Sequence, residues 1–364
     1  MSMLKKVLLW GVSLLTGLVA LLLVLAYATT FHPADVQPAE VTCPSNAPKL
    51  KPGQPLKILS WNVQYMASKQ FVFYYDKLDN SGPDLRPTPE AIAQTFEDVA
   101  RIIGEEKPDV LLLQEVDDGA GRTDEEDQLA RLLAMLSKDY VCHASAFYWK
   151  ASFIPHPKIM GPVGMKLSTI SKYQISEATR HQLPMYEQDP LTDMFYLKRA
   201  VLEAKIPIDG DGAKPLVTFN THLDAFAQGT NTMELQVNMA RDLFAGAEKS
   251  GNPWLGAGDF NLLATRSAWE ALRDGERAYY NPQTEAAPLF EAFQSIPTAD
   301  EIDGASKADW FTYFSNDPDA SGAPDRTIDY IFLPPRANVL SKKVRQDART
   351  ISDHLPIVAE LQLQ

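Results

Sequence analysis

Hydrophobic and polar positions divide the chain into two unequal parts. Behind Lys5 and Lys6, Val7 to Ala28 runs about 22 residues without a charge, enough for one helix to cross the roughly 30 Å of a bilayer core. Two lysines and no acid precede it, which predicts a cytoplasmic N-terminus and an exported body. Ala26-Tyr27-Ala28 also fits a signal-peptidase site, so a secreted or periplasmic chain is the alternative. The run is longer than an ordinary signal core of about 7–15 residues, which favours a retained anchor. From Thr29 to Pro55 there is no apolar periodicity, and Pro33, Pro38, Pro44, Pro48, Pro52 and Pro55 predict an extended, semi-rigid tether. The expected organisation is an anchor or signal over 1–28, a linker over 29–55 and a folded body over 56–364.

The body opens with a strand, Leu56 to Val63, and Pro89 then starts a helix with Ile92, Phe96, Val99, Ala100 and Ile103 at helical spacing. Asp109 to Val116 is an almost continuous apolar run, the mark of a strand buried on both faces. Thr123 and Glu126 read as a capping box ahead of Leu129, Leu132, Leu133 and Leu136. Further strands are expected around Tyr140–Tyr148, Gly164–Ile170, Tyr196–Ile206, Leu216–Asn220 and Trp254–Phe260, with a helix from Thr232 to Glu248. Thr327 to Phe332 and the stretch after Ser352 close the chain with two more. Strands and helices interleave, yet turns such as Asp209-Gly210-Asp211-Gly212 join neighbouring strands tightly. The pattern predicts an α/β (α+β) sandwich, two mixed or antiparallel sheets face to face with helices outside. No glycine-rich phosphate fingerprint follows the first strand, which disfavours a dinucleotide fold.

Composition adds limits. With 45% hydrophobic and 22% charged residues the chain is of the folded class. A net charge of -13 weighs against affinity gained by neutralising many phosphates, so nucleic acid is disfavoured as a partner. Two cysteines exclude a zinc-cysteine site and allow one disulfide at most. Export to an oxidising compartment would let Cys43 and Cys142 pair and pin the linker to the body.

The polar residues at the strand exits are Asn62, Glu115, His222, Asp259 with Asn261, Asp329, and Asp353 with His354. Singly, each has an ordinary reading as a turn former or a hydrogen-bonded structural residue. Gathered at one sheet edge, carboxylates, amides and two histidines suit a hard metal ion and a phosphate. Asp224 reads as a turn residue. Two aromatic stretches, Phe71 to Tyr75 and Phe147 to Met160, are candidates for core packing or for contact with a lipid interface. Within the second, His156 and Lys158 could meet a head-group phosphate.

Trp61-Asn62, Gln114-Glu115, Thr221-His222-Leu223, Gly258-Asp259-Phe260-Asn261, Ile328-Asp329-Tyr330 and Ser352-Asp353-His354 resemble, in order, the motifs of the endonuclease/exonuclease/phosphatase superfamily. That group includes DNase I-like nucleases, inositol-polyphosphate phosphatases and bacterial sphingomyelinases, and the resemblance spans Leu56 to Gln364. It implies a four-layer α/β sandwich and metal-assisted attack of water on a phosphate ester. Asn62, Glu115 and Asp353 would hold Mg²⁺, with Mn²⁺ an alternative. Asp259 would orient or deprotonate the water, Asn261 would steady the phosphate or that carboxylate, and His222 would contact the phosphate. His354, oriented by Asp329, would donate to a non-bridging oxygen. One departure stands out. Residues 161–175 contain no Asp or Glu where many nucleases of the group carry a partner for the first histidine, so the partner of His222 is open. The expectation is a membrane-tethered phosphoesterase acting on a phospholipid or lipid-derived phosphodiester. An exported nuclease acting on DNA or RNA and a catalytically inactive binding module are the alternatives.

Overall fold

The computed structural model describes residues 2–362 apart from 70, 74–76, 78–80, 84, 85, 226, 228 and 318–321. Helix α1 (Met3–Thr29) buries none of its residues and is long and apolar enough to cross a membrane. A helix apolar on every side has no polar face to turn to water, so it suits a membrane span or a signal sequence.

Among the described residues, fourteen strands form two seven-stranded sheets. In chain order they are β1 (Val36–Pro38), β2 (Glu40–Thr42), β3 (Leu56–Asn62), β4 (Val110–Asp117), β5 (Cys142–Ile154), β6 (Gly161–Ser171) and β7 (Glu177–Gln182), then β8 (Ala200–Ile206), β9 (Leu216–His222), β10 (Trp254–Asp259), β11 (Gln294–Ile296), β12 (Asp329–Leu333), β13 (Asn338–Val344) and β14 (Ile357–Gln362). One sheet runs β13-β14-β3-β4-β6-β5-β2 and the other β1-β7-β8-β9-β10-β12-β11. Each is mixed: β3 pairs parallel with β4, and β9 with β10, while their other neighbours are antiparallel.

Alternation along the central strands makes the layers. Ile58, Val110, Leu112, Leu255, Ala257, Ile331 and Leu333 point between the sheets. Leu59, Trp61, Leu111 and Leu113 face outward beneath α2 (Pro89–Glu106) and α3 (Gln128–Met135). Trp254, Tyr330 and Phe332 do the same on the other sheet, beneath a helix at Thr232–Lys249 that supplies Phe244. Both faces of these strands are therefore dry, which is why their sequences are nearly unbroken apolar runs. The result is the expected four-layer sandwich of helix, sheet, sheet and helix.

Two expectations need correction. Thr29 ends α1 and residues 30–55 are largely extended, but they are not a free tether. β1 adds to the edge of one sheet at β7 and β2 to the edge of the other at β5, Cys43 is disulfide-bonded to Cys142, and Leu50 is buried. Unpaired edge strands accept such additions readily, so proline-spaced residues between them pair as short edge strands. The folded body thus starts near Thr30, which bridges Ala151 of β5 directly after α1. Thr123 and Glu126 do not cap α3. Asp127 does, its carboxylate accepting from Ala130 N, while the buried Thr123 hydroxyl donates to Asp117.

Candidate active site

Both sheets deliver their central strand ends to one edge of the sandwich. Asn62 ends β3, His222 ends β9, Asp259 ends β10 and Asp329 begins the antiparallel β12. In register, Asp259 lies opposite both His222 and Asp329. Glu115 is placed differently. The pairing of β4 with β6 shifts between Leu113 and Val116, and Glu115 sits at this bulge with φ 57°. A bulge re-aims a side chain that regular pleating would send elsewhere. Gln114 beside it donates to Asn220 Oδ1 at 2.7 Å, and the Asn220 amide donates to Leu113 O and Ser168 O, so the two sheets are tied together just behind the site. Gly258 has φ 150°, and a Cβ there would lie 1.9 Å from Thr221 O. Only glycine lets β10 lie this close to the residue before His222.

Asp259 is the centre of the array. Its Oδ2 lies 3.3 Å from His222 Nε2, 3.4 Å from His354 Nε2 and 3.0 Å from Asn62 Nδ2, which donates to it. Its Oδ1 accepts from Asn261 N at 3.0 Å. Burial pushes the Asp259 carboxyl up to about 7 despite His354 nearby. His354 Nδ1 is 2.8 Å from Asp329 Oδ2. Burial alone would lower its pKa, but Asp329 and Asp259 hold it well above the ordinary imidazole value, so the ring carries a charge. His222 goes the opposite way, pushed well down by burial and by Arg199. Its Nδ1 faces Tyr148 Oη at 3.2 Å and Glu115 Oε1 at 3.7 Å. With a carboxylate beyond Nε2, the neutral ring carries its proton there and accepts the Tyr148 hydroxyl at Nδ1. One carboxylate thus joins a neutral and a charged imidazole.

Glu115 and Asp353 stand beside this trio. Burial raises the Glu115 carboxyl and the Asp353 charge raises it further; burial raises Asp353 too. Ser352, Gln64 and Asn316 hold Asp353 in place: the Ser352 hydroxyl donates to its Oδ1, its N–H donates to Gln64 Oε1 at 2.9 Å, and Asn316 Nδ2 donates to its Oδ2 at 3.2 Å. Two mutually repelling, half-buried carboxylates form an oxygen donor set that fits a hard divalent cation, and the Asn62 amide donates to Glu115 beside them. Asp259, Asp329 and His354 also bring ligand atoms within 4.8 Å of one another. The charged imidazole between those two carboxylates already serves as their cation, so Glu115 and Asp353 are the better pair.

All the residues expected at the site therefore meet at one edge. Asn261 is reached at φ 51°, and its side chain donates to Leu223 O at 3.2 Å, bracing the loop after β9 rather than reaching the Asp259 carboxylate. Three contributors escaped the sequence reading. Tyr148 answers the open question of the His222 partner, and Asn316 and Ser352 support Asp353. Asp224 is no turn residue: it is buried, and Tyr196 hydrogen-bonds to it. Of the aromatic stretches, Phe71, Val72 and Phe73 are buried packing, and Tyr74 and Tyr75 lie outside the described residues. In the β5–β6 hairpin, Phe153 and Met160 are 43% and 60% exposed.

The site opens into a cavity of about 470 Å³ whose floor includes Glu115, His222, Asp259, Asp353 and His354 and whose wall includes Trp149, Ile154, His156, Ile159 and Phe195. The sequence profile of a group described as the Endonuclease/Exonuclease/phosphatase family matches residues 59–354. No curated protein matches the chain by sequence. Among solved structures, an endonuclease/exonuclease/phosphatase from Beutenbergia cavernae is similar at 22% identity and TM-score 0.60, over 85% of this chain and 72% of that one. The human Nocturnin catalytic domain, solved with a bound sulfate anion, is similar at 16% identity and TM-score 0.50 over 90% and 97%. A Bacteroides vulgatus endonuclease/exonuclease/phosphatase is similar at 16% and 0.50 over 85% and 100%. At these identities the structural likeness speaks to the fold.

Proposed function

The chain belongs to the endonuclease/exonuclease/phosphatase family, whose members hydrolyse phosphate esters, and on that premise we propose that it is a divalent-metal-dependent phosphodiesterase working on lipid at a membrane. The observation that carries the chemistry is the shared Asp259 oxygen, within 3.4 Å of both imidazoles and beside the Glu115–Asp353 pair. Asp259, near 7, is poised to take the proton of an attacking water as its oxygen bonds to phosphorus and the ester P–O bond breaks. His354, charged and held by Asp329, donates to a non-bridging oxygen as negative charge grows there. His222, neutral, directs its one N–H at Asp259 and would share it with the phosphate without adding charge, steadied from behind by Tyr148. Glu115, Asp353 and Asn62 would hold Mg²⁺ or Mn²⁺, which supplies Lewis-acid stabilisation of the phosphate oxygens when bound.

The lipid assignment is supported by the cavity wall. Trp149, Ile154, Ile159 and Phe195 make it apolar, and the hairpin that carries three of them ends in the exposed Phe153 and Met160. The same hairpin strand receives the end of α1 through the Thr30–Ala151 bridge, so a retained α1 would hold this lip at the bilayer surface. The test is hydrolysis by the full-length protein in vesicles with Mg²⁺, offering phosphatidylcholine, sphingomyelin, inositol phosphates and plasmid DNA. Lipid turnover at least about tenfold above nicking is expected; a preference for plasmid DNA would replace this reading with the nuclease one.

A further inference from the structure

We propose that Arg199 forms a phosphoryl-oxyanion subsite in the cavity, beside Tyr148 and His222; the proposal deepens, and rests on, the reading of this cavity as a phosphoesterase site. Arg199 directly precedes β8, 5% exposed, and lines the same cavity as His222 and Asp259. Its Nε and Nη1 are both buried and have no hydrogen-bond partner among the described residues. No ion pair to it occurs among those residues either. Asp224, which with Arg199 acts on Tyr196, is engaged by the Tyr196 hydroxyl. The guanidinium instead stands 5.4 Å from the Tyr148 ring, the same tyrosine that faces His222 Nδ1.

Arg180 shows what an arginine buried for structural reasons looks like in this protein. It is as deeply buried, and although its Nη1 also lacks a partner among the described residues, it donates through Nε and Nη2 to Phe147 O, Lys198 O and Gln182 Oε1 at 2.6–2.9 Å. Backbone carbonyls and an amide answer its charge, and it does not line the cavity. Arg199 has no such answers. An unpaired buried charge is costly to keep, and a planar guanidinium that lines a cavity with no carboxylate in ion-pair distance matches a phosphate's oxygens. Those oxygens could belong to the scissile phosphate or to a second phosphate on the same substrate, and the chemistry of recognition is the same.

Calorimetric binding of inorganic phosphate to the full-length protein in detergent, without divalent metal, tests the subsite separately from hydrolysis. Arg199→Gln should weaken phosphate binding by about tenfold or more, Arg199→Lys should restore part of it, and phosphate should raise the melting temperature of the parent protein but not of Arg199→Gln. The parallel assay uses bis(p-nitrophenyl) phosphate, which has only a scissile phosphate. A raised KM there in Arg199→Gln assigns the subsite to that group, and an unchanged KM with phosphate binding lost assigns it to a second phosphate. Phosphate affinity unchanged in both folded variants overturns the proposal. Should the parent protein bind phosphate through Arg199 yet hydrolyse no ester, the subsite stands and the phosphoesterase reading falls.

Discussion

Replacing Asp329 with Asn tests whether His354 acts through a charge behind it. The substitution keeps the shape and an oxygen that can accept from His354 Nδ1 but removes the negative charge 2.8 Å away. Both groups are buried, so solvent does little to screen the loss. A hydrogen bond to a charged group is worth roughly 1.5–3 kcal/mol and a neutral one roughly 0.5–1.5, so about 1–1.5 kcal/mol of imidazolium stabilisation should go. That predicts a fall of about 5–15-fold in kcat on a phosphodiester. His354→Ala removes the donor itself, for which about 2.7–4 kcal/mol, or roughly 10²–10³-fold, is typical. Because Asp329 works only through the ring, Asp329→Asn with His354→Ala should lie within about twofold of His354→Ala alone. The pH profile supplies a second readout. Without Asp329 the proton on His354 is held less tightly, so the alkaline limb of kcat/KM should move to lower pH in Asp329→Asn. The assays are steady-state kinetics across pH on variants whose thermal melts show an intact fold. Losses that add in the double variant, or an alkaline limb that stays in place, would refute the dyad while leaving the enzyme.

Glu115→Gln removes one of two repelling carboxylates, so it should hold or raise the melting temperature while activity falls about a hundredfold or more; full turnover in excess chelator would remove the metal from the reaction. Glu106 is buried at the end of α2, and although burial raises its carboxyl, Lys57 at 2.9 Å, Lys343 at 2.9 Å and Arg345 at 2.6 Å bring it down from the ordinary 4.5 to about 2. The sign follows from a depressed folded pKa: its stabilisation is present above about pH 4.5 and is lost as pH falls from there toward 2. The shift sets a ceiling of about 3 kcal/mol, and the exposed parts of Lys57 and Lys343 reduce it to about 1–2. Glu106→Gln should therefore cost that much at pH 7 by chemical denaturation and nothing at pH 2, whereas equal losses at both would point to packing alone. Gly258→Ala places a methyl 1.9 Å from Thr221 O at φ 150°, and it should lower the melting temperature and abolish hydrolysis together; activity retained in a fully stable variant would contradict the close approach of β10 to β9.

What the sequence determined by itself is periodic and local. Largely apolar runs in β3, β4, β9, β10 and β12 announce strands dry on both faces, and a charged or amide residue at or near one end of each run marks an edge, because such a group inside a buried strand needs a partner, as Gln114 and Asn220 find in each other. Those two regularities mark Asn62, Glu115, His222, Asp259, Asp329 and His354 as strand-end residues of one edge. α1 was legible for the same reason, an apolar run with no polar side. The tertiary structure alone decided whatever depended on partners distant in the chain. Tyr148 sits mid-strand in an aromatic stretch where packing is the ordinary reading, and only the approach of β9 turns its hydroxyl onto His222. Asp224 and Arg199 look like turn and strand-edge residues until burial removes their water, after which one is engaged by Tyr196 and the other faces the cavity. Residues 29–55 carry proline and no periodicity, and nothing in them states that two open sheet edges lie within reach. A local pattern records which face of an element is dry, whereas the charge, tautomer and partner of a buried polar group are set by neighbours that folding brings from elsewhere.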